Sequence, residues 1–566
     1  MKYFLFSVSL FIVTISYSQE EKKDYCRIYG GFETNAQRYL EYENQEQDNP
    51  PVFFRSNNYL QVNYEIKKFT FGLQLESYES KALLNYSPGF DGTNIASYFV
   101  KYKSKKIEAT LGYFYEQYGS GMILRAWEDR ALGINTALRG FRFAYKPTND
   151  INFSTFFGQQ RSGFDISNGK LFGFNIDIDL NNWLKLEESD LSIGFSNVNR
   201  YEKIDEVKTP NPDFNPTTNA YSFRLNYSKN IFYSSLEINY KNKDGVLNRI
   251  SNEIIENLAR SGSAYQWNFG IAKEGLGIDV SLRRTENFQF LSERIPEPYD
   301  TERSSLDFFD KVINFTPALT KQHHSNLANI YVYQAQAGVE FKTLEIMKSG
   351  ETGGQIDFIY EFAKNSTLGG KYGTKLAVNY SSWYNLPGTY RSLPEFYETS
   401  FFGIGEKYFS DFNIEVKKQV SRNLRTSFLY VNQYYNKKWV EDKPVEVNTH
   451  IAFAELIYNI NDLRSIKFDL EHMWADEDFR NWYGITSEFN FNDKWSVFAM
   501  NLVNYGNKDP EESKKHYLTI GSAYRKGTSR VSVSYGRQRG GLVCVGGVCR
   551  FVPESTGFSL SFNTAF

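Results

Sequence analysis

The sequence predicts an all-β protein: a large antiparallel transmembrane β-barrel of about 24 strands, within a range of about 22 to 26 set by the even-number rule. Three observations predict it. Segments of alternating apolar and polar residues recur along the chain and are joined, every second time, by a very short polar turn. The connections between these hairpins are long, and short turns on one side with long loops on the other is the asymmetry of an outer-membrane barrel; a soluble sandwich has no reason to segregate its loop lengths. The composition is 17% aromatic and only 41% hydrophobic, with a mean hydropathy of -0.50. That is too polar for a helical membrane protein. It suits a barrel whose alternate residues face lipid and whose Tyr, Trp and Phe form interfacial girdles.

At the N-terminus, Lys2 precedes an apolar run from Tyr3 to Ile15, and Ser16-Tyr17-Ser18 supplies small residues where a signal peptidase inspects them. Residues 1–18 are therefore expected to be a signal peptide and residues 19–566 a single barrel. The run is too short for a membrane helix. Cys26 follows Lys22-Lys23-Asp24-Tyr25, without the small apolar residues of a lipoprotein signal, so no lipidation is expected.

From Arg27 onward the hairpins follow one another. Leu60, Val62, Tyr64 and Ile66 alternate with polar residues up to Lys67-Lys68, after which Phe71, Leu73 and Leu75 alternate in turn. The pattern repeats around Ser104-Lys105-Lys106, Pro147-Thr148-Asn149-Asp150, Ser228-Lys229-Asn230, Lys273-Glu274-Gly275, Asn492-Asp493-Lys494 and Arg525-Lys526-Gly527. Long connections fall at Lys81 to Asn94, Tyr118 to Leu138, Asn199 to Ala220, Arg284 to Leu327 and Ser382 to Phe409. Ile330 to Met347 fits either a long outer loop or an extra hairpin.

The last residues place Phe558, Leu560, Phe562, Thr564 and Phe566 at every second position, with Ser559, Ser561, Asn563 and Ala565 between them. This is one membrane-crossing strand, for which about 9 to 11 residues suffice. A final strand ending in Phe resembles the C-terminal insertion signal of bacterial outer-membrane proteins. The resemblance implies the outer membrane, its lipid, and the barrel-assembly machinery as a partner during biogenesis, with Phe558, Leu560, Phe562 and Phe566 as the signal.

Charge excludes one class of partner. The 64 basic and 66 acidic residues leave a net charge of -2, so no nucleic acid is implied. Of the three cysteines, Cys544 and Cys549 flank Val545-Gly546-Gly547-Val548, a Gly-Gly pair suited to a hairpin turn, and are expected to form a disulfide. Cys26 is expected to stay free, because about 25 Å of apolar band would separate it from that outer hairpin, against the roughly 7 Å Cα separation a disulfide tolerates.

Two loops invite a functional reading. Tyr115 to Arg139 follows a strand whose lumenal positions include Glu108, and it carries Glu116, Arg125, Glu128, Asp129, Arg130 and Arg139. Such mixed charge fits a loop folded back into a polar lumen as a constriction, with Arg125, Glu128, Asp129 and Arg130 bonded to lumenal side chains. It also fits a solvated outer loop with local ion pairs. Arg284 to Leu327, with Pro296, Pro298, Phe308-Phe309 and His323-His324, reads as a surface loop. The histidines His323, His324, His450, His472 and His516 match no catalytic-triad or metal-ligand spacing, so neither an enzyme nor a cofactor is expected. His472 suits the interfacial belt.

The segments GGFETNAQRYL at Gly30 to Leu40, FRSNNYLQVNY at Phe54 to Tyr64, YFYEQYGSGMILRAWEDRALGINTALRG at Tyr113 to Gly140 and LVCVGGVCRFVPESTGF at Leu542 to Phe558 resemble a family of exported Bacteroidota outer-membrane barrels of unknown function. The resemblance spans the mature chain and implies fold and localisation, but no substrate. Similarity to TonB-dependent transporters is partial, since those carry a plug of their own, whereas strand-like alternation here begins a few dozen residues after the cleavage site. No N-terminal plug domain is therefore expected. The functional expectation is a passage for solutes or substrates restricted by the barrel's own loops, or a non-catalytic subunit of an outer-membrane transport, secretion or assembly complex with other envelope proteins.

Overall fold

Alternation at a period of two gives each strand two chemically different faces, and a sheet built from many such strands can bury its polar face only by curling up. A computed structural model describes residues 26–42, 52–83, 89–203, 215–248, 253–294, 311–341, 345–545 and 548–566, apart from the side chains of 41–42, 246–248, 253–257, 542–545 and 548–551. The expected signal peptide lies outside these residues. Twenty-four antiparallel strands form one sheet, here numbered β1 to β24 in chain order, from β1 (Cys26–Tyr42) and β2 (Phe54–Ile66) to β24 (Ser555–Ala565). The sheet closes on itself: β1 pairs on one side with β2, from Cys26↔Ile66 to Arg38↔Phe54, and on the other with β24, from Gly31↔Ala565 to Tyr42↔Ser555. Closure leaves no edge strand unpaired. Among the described residues no helix is long and apolar enough to cross a membrane; the strands do the crossing.

The hairpin turns fall where the sequence places them. Lys67 turns β2 into β3 (Phe69–Tyr78) with φ 55°, and Asn230 does the same with φ 53°. The segment 330–347 is not a barrel hairpin; among its described residues the strand pairing is that of Glu340–Phe341 with Met347–Lys348, outside the main sheet.

The outer face is a band of exposed apolar side chains, among them Phe71 and Leu73 on β3 and Phe558, Leu560 and Phe566 at the C-terminal end. Phe562 packs beside Phe32 of β1 at 6.1 Å between ring centroids. On the inner face of β3, Gln74 and Glu76 are buried. Inward glycines make room for inward aromatics. Gly173 stands opposite Phe156, and a Cβ there would lie 1.9 Å from that ring.

The interior also holds buried ion pairs. Arg161 meets Glu76 at 2.5 Å, and Asp244 is shared by Arg200 at 2.6 Å and Arg294 at 2.7 Å. A charge removed from water in this way is tolerable only when paired and hydrogen-bonded, and Glu76 also accepts from Tyr78.

Candidate functional site

The loop between β5 (Ile107–Phe114) and β6 (Leu138–Tyr145) turns toward the inner face. Met122, Ile123 and Leu124 at its centre are fully buried, packed with Phe156, Phe288 and Ile313. Removing three consecutive large apolar side chains from water stabilises this position by several kcal/mol, at roughly 1.5–3 kcal/mol each. The polar residues of the loop then find partners on the wall. The Arg130 guanidinium donates to Glu33 of β1 at 3.2 Å and to Gln74 of β3 at 3.4 Å, and it lies over the Tyr59 ring at 4.8 Å. Burial opposes its charge, but Glu128 and Glu33 outweigh burial and hold its pKa above the usual value. Glu128 accepts from Arg130, Gln74 and Asn135. Farther round the ring, the Ser120 amide donates to Glu237 at 3.1 Å.

A second loop, between β13 (Leu276–Glu286) and β14 (Gly350–Phe362), occupies the same interior. The expectation of a surface loop is corrected for its described part: His323, Ser325, Leu327 and Tyr333 are buried. Glu471 on β19 (Ser465–Ala475) gathers three donors, Ser325 Oγ at 2.6 Å, Asn326 Nδ2 at 2.9 Å and the Leu327 amide at 3.1 Å. His323 Nε2 lies 2.8 Å from Asp411 Oδ2, and Lys321 Nζ donates to Asn413 at 3.1 Å, both on β16 (Lys407–Gln419). Arg283 donates to Glu351 and to the Pro317 carbonyl, both at 2.5 Å, and Tyr333 donates to the same Glu351. The Tyr333 ring is stacked between Phe409 at 5.2 Å and Trp383 at 6.1 Å.

The two loops are joined to each other. The Arg125 amide donates to the Ile313 carbonyl at 2.8 Å, the Phe315 amide to Gly121 at 2.9 Å, and Asn314 to Met122 at 3.1 Å. The Arg125 guanidinium lies in the corner formed by Trp127, at 4.3 Å, and Phe315, at 4.0 Å, and burial among these rings lowers its pKa despite nearby Asp129.

The charged residues singled out from the sequence therefore divide. Arg130 and Glu128 reach wall side chains. Glu108 and Glu116 both receive Arg142, at 2.8 and 2.5 Å; Glu116, outside the strand, has its pKa raised by burial even so. Arg125 binds the second loop rather than the wall, and Asp129 bonds locally, accepting from the Leu132 amide at 3.1 Å. Arg139 is a correction. It sits on β6 opposite Tyr113, one residue out of phase with Gly140↔Gly112 and Arg142↔Thr110, so it is exposed on the outer face and belongs to no constriction. Sequence reasoning missed Glu471, Asp411, Glu351 and Glu33; the signal available was acidic residues at inward strand positions.

The hairpin Gly541–Val545 with Val548–Val552 pairs Cys544 with Cys549 in register, and the two side chains lie outside the described ones. Cys26 is an exposed free thiol. His472 faces outward, its Nε2 2.8 Å from the Tyr505 hydroxyl and its ring against Trp474. Among the described residues no group of three or more His, Cys, Asp and Glu side chains is arranged to hold a metal ion.

A closed ring of twenty-four antiparallel strands with an apolar band outside and a polar, loop-occupied interior defines an outer-membrane β-barrel. The chain belongs to the family of unknown function DUF6029, whose model matches residues 1–566. No curated protein matches it in sequence. Among solved structures it is similar to the translocation pore of the P pilus usher PapC, at 8% identity and a TM-score of 0.43 over 95% of this chain and 99% of that one. It is similar to the copper transporter OprC at 9% identity and a TM-score of 0.41, over 97% and 82% of the two chains. A BenF-like porin from Pseudomonas fluorescens Pf-5 shares 11% identity at a TM-score of 0.35, over 80% and 98%.

Proposed function

We propose that the protein is a non-catalytic passage across the outer membrane whose lumen is restricted by its own loops, through residues 115–137 of the first and the described residues 287–294, 311–341 and 345–349 of the second. The observation that carries this reading is the attachment of the two loops to different arcs of the wall while they bond to each other: Arg130 ties the first to Glu33 and Gln74, and Glu471 ties the second to β19. An unobstructed ring of this size would leak, since barrels of 16 to 18 strands already leave an aqueous channel. Loops that span the interior take the role a separate plug has elsewhere, so no plug domain is needed. The interior charges are paired, Glu108 and Glu116 with Arg142, Glu128 with Arg130, and Glu415 of β16 with Lys321, an arrangement that favours small polar solutes over ions of one sign. Export by the signal peptide 1–18, insertion by the barrel-assembly machinery through the C-terminal strand, and a Cys544–Cys549 disulfide belong to the same reading.

The test is conductance in planar bilayers of the intact protein and of a variant lacking Gly119 to Ala137, each first shown to be folded by heat-modifiable gel migration. The deletion should raise conductance and sensitise cells to large antibiotics. Unchanged permeability in a folded deletion variant would defeat self-restriction. It would favour the second role, a subunit of an envelope complex, which a pull-down from native membranes would then identify.

A further inference from the structure

The segment between β15 (Thr374–Tyr384) and β16 carries a small outer hairpin, Gly388–Ser392 with Glu395–Thr399. Just past it, Phe401 does not point into water above the barrel. Its ring stands nearly perpendicular to Tyr265 at 5.4 Å, and the Arg284 guanidinium lies over it at 5.0 Å. Tyr265 and Arg284 face each other across β12 (Glu253–Lys273) and β13. Both are on the outer face, in phase with the exposed pair Trp267↔Leu282, while Gln266 and Arg283 beside them point inward; Arg284 is itself buried, covered by Phe401. Two residues toward the membrane, the next outward pair is Trp267↔Leu282, with both side chains more than two-fifths exposed, and the apolar band continues from there to Ile356 and Tyr380. At about 3.3 Å per residue, Phe401 rests about 7 Å along the strands from that band.

The loop is held in this position. Arg284 donates to Glu286 at 2.8 Å, and Thr399 donates to the same carboxylate at 2.8 Å. What it then presents is apolar. Phe402, packed edge-on against Phe401 at 5.0 Å, is 85% exposed, and Ile404 is 62% exposed. An aromatic and a branched aliphatic side chain fixed beside a lipid-facing band, without protein cover, match the composition of an interfacial anchor.

We propose that Phe401, Phe402 and Ile404 dip into the lipid at the outer interface and fasten the outer hairpin to the membrane surface. The occupant is the bilayer that already surrounds the barrel, because the patch is continuous with that lipid-facing surface.

Spin labelling of the full-length protein tests this. In a background of Cys26→Ser, Cys544→Ser and Cys549→Ser, a nitroxide is attached at Phe402→Cys or, separately, Ile404→Cys, with Asp493→Cys on a short turn as the water-exposed control. After reconstitution in dioleoylphosphatidylcholine vesicles, both loop labels should relax more strongly with oxygen, which concentrates in lipid, than with a water-soluble nickel complex, and the control should show the reverse. Loop labels relaxed mainly by nickel would overturn the proposal in favour of a solvated loop. Labels reached by neither would overturn it in favour of cover by a second copy or an envelope protein.

Discussion

Removing the Glu471 carboxylate is the sharpest perturbation of the interior, because one buried side chain fixes three successive residues of the second loop. Glu471 is 5% exposed and accepts from Ser325, Asn326 and the Leu327 amide. Hydrogen bonds to a charged acceptor contribute about 1.5 kcal/mol each at the low end; Ser325 and the Leu327 amide are left behind buried, whereas Asn326 is exposed and loses less, so Glu471→Ala should weaken local docking by about 4 kcal/mol. The loop does not come free. His323–Asp411, Lys321–Asn413 and Trp383 Nε1 donating to the Leu319 carbonyl at 3.1 Å still hold it. The loss is confined to opening of residues 325–328, where about 4 kcal/mol corresponds to roughly a thousandfold faster amide exchange. Hydrogen–deuterium exchange resolved at those amides in detergent measures it, with the barrel strands as internal reference. Glu471→Gln keeps an acceptor oxygen and should show a smaller acceleration. An acceleration of less than about tenfold in the folded Ala variant would refute the claim that this carboxylate seats the loop.

Other outcomes follow from the same geometry. Arg130→Ala leaves Glu33 and Glu128 without their guanidinium; limited proteolysis within 115–137 should become faster while heat-modifiable migration is retained. Gly173→Val drives a side chain into the Phe156 ring and should cost about 1–3 kcal/mol, read as a lower denaturant midpoint in micelles, whereas an unchanged midpoint would show that the ring has another place to go. Mass mapping of unreduced peptides should find Cys544 crosslinked to Cys549, and a crosslinked peptide containing Cys26 would contradict that pairing.

The wall was legible because strand alternation is local. Lys67-Lys68 marks a turn, and Phe71 and Leu73 mark the lipid side, whatever the rest of the chain does. The first loop was legible in part, since charge density at Glu128 and Arg130 signals that partners are needed, though it does not say which. The second loop was not. Its anchors Asp411 and Glu471 are inward strand residues like dozens of others, and nothing in the order of residues says which lumenal carboxylate a loop 88 to 146 residues earlier will meet. Of the pair His323-His324, His324 is exposed as read, but His323 is buried, and a buried histidine is recognisable only beside its carboxylate. Arg139 failed for a different reason. A one-residue error of phase at a loop-to-strand junction moves a side chain through the wall.

The contacts that seat the second loop also set an order of events. The bond from Ser325 to Glu471 spans 146 residues of chain, and that from Asn314 to Met122 spans 192. The second loop therefore has no seat until β16 and β19 stand in the wall, and the first loop lacks its partners Ile313 and Asn314 until the second has arrived. Contacts so remote along the chain form late, because loop-closure entropy must be met before they contribute. The strands that seat the second loop must precede it, so an assembling ring lacks that part of its filling for an interval. For the cell, the hazardous species is this half-finished one, and the rate at which residues 311–333 settle against β16 and β19 decides how long it lasts.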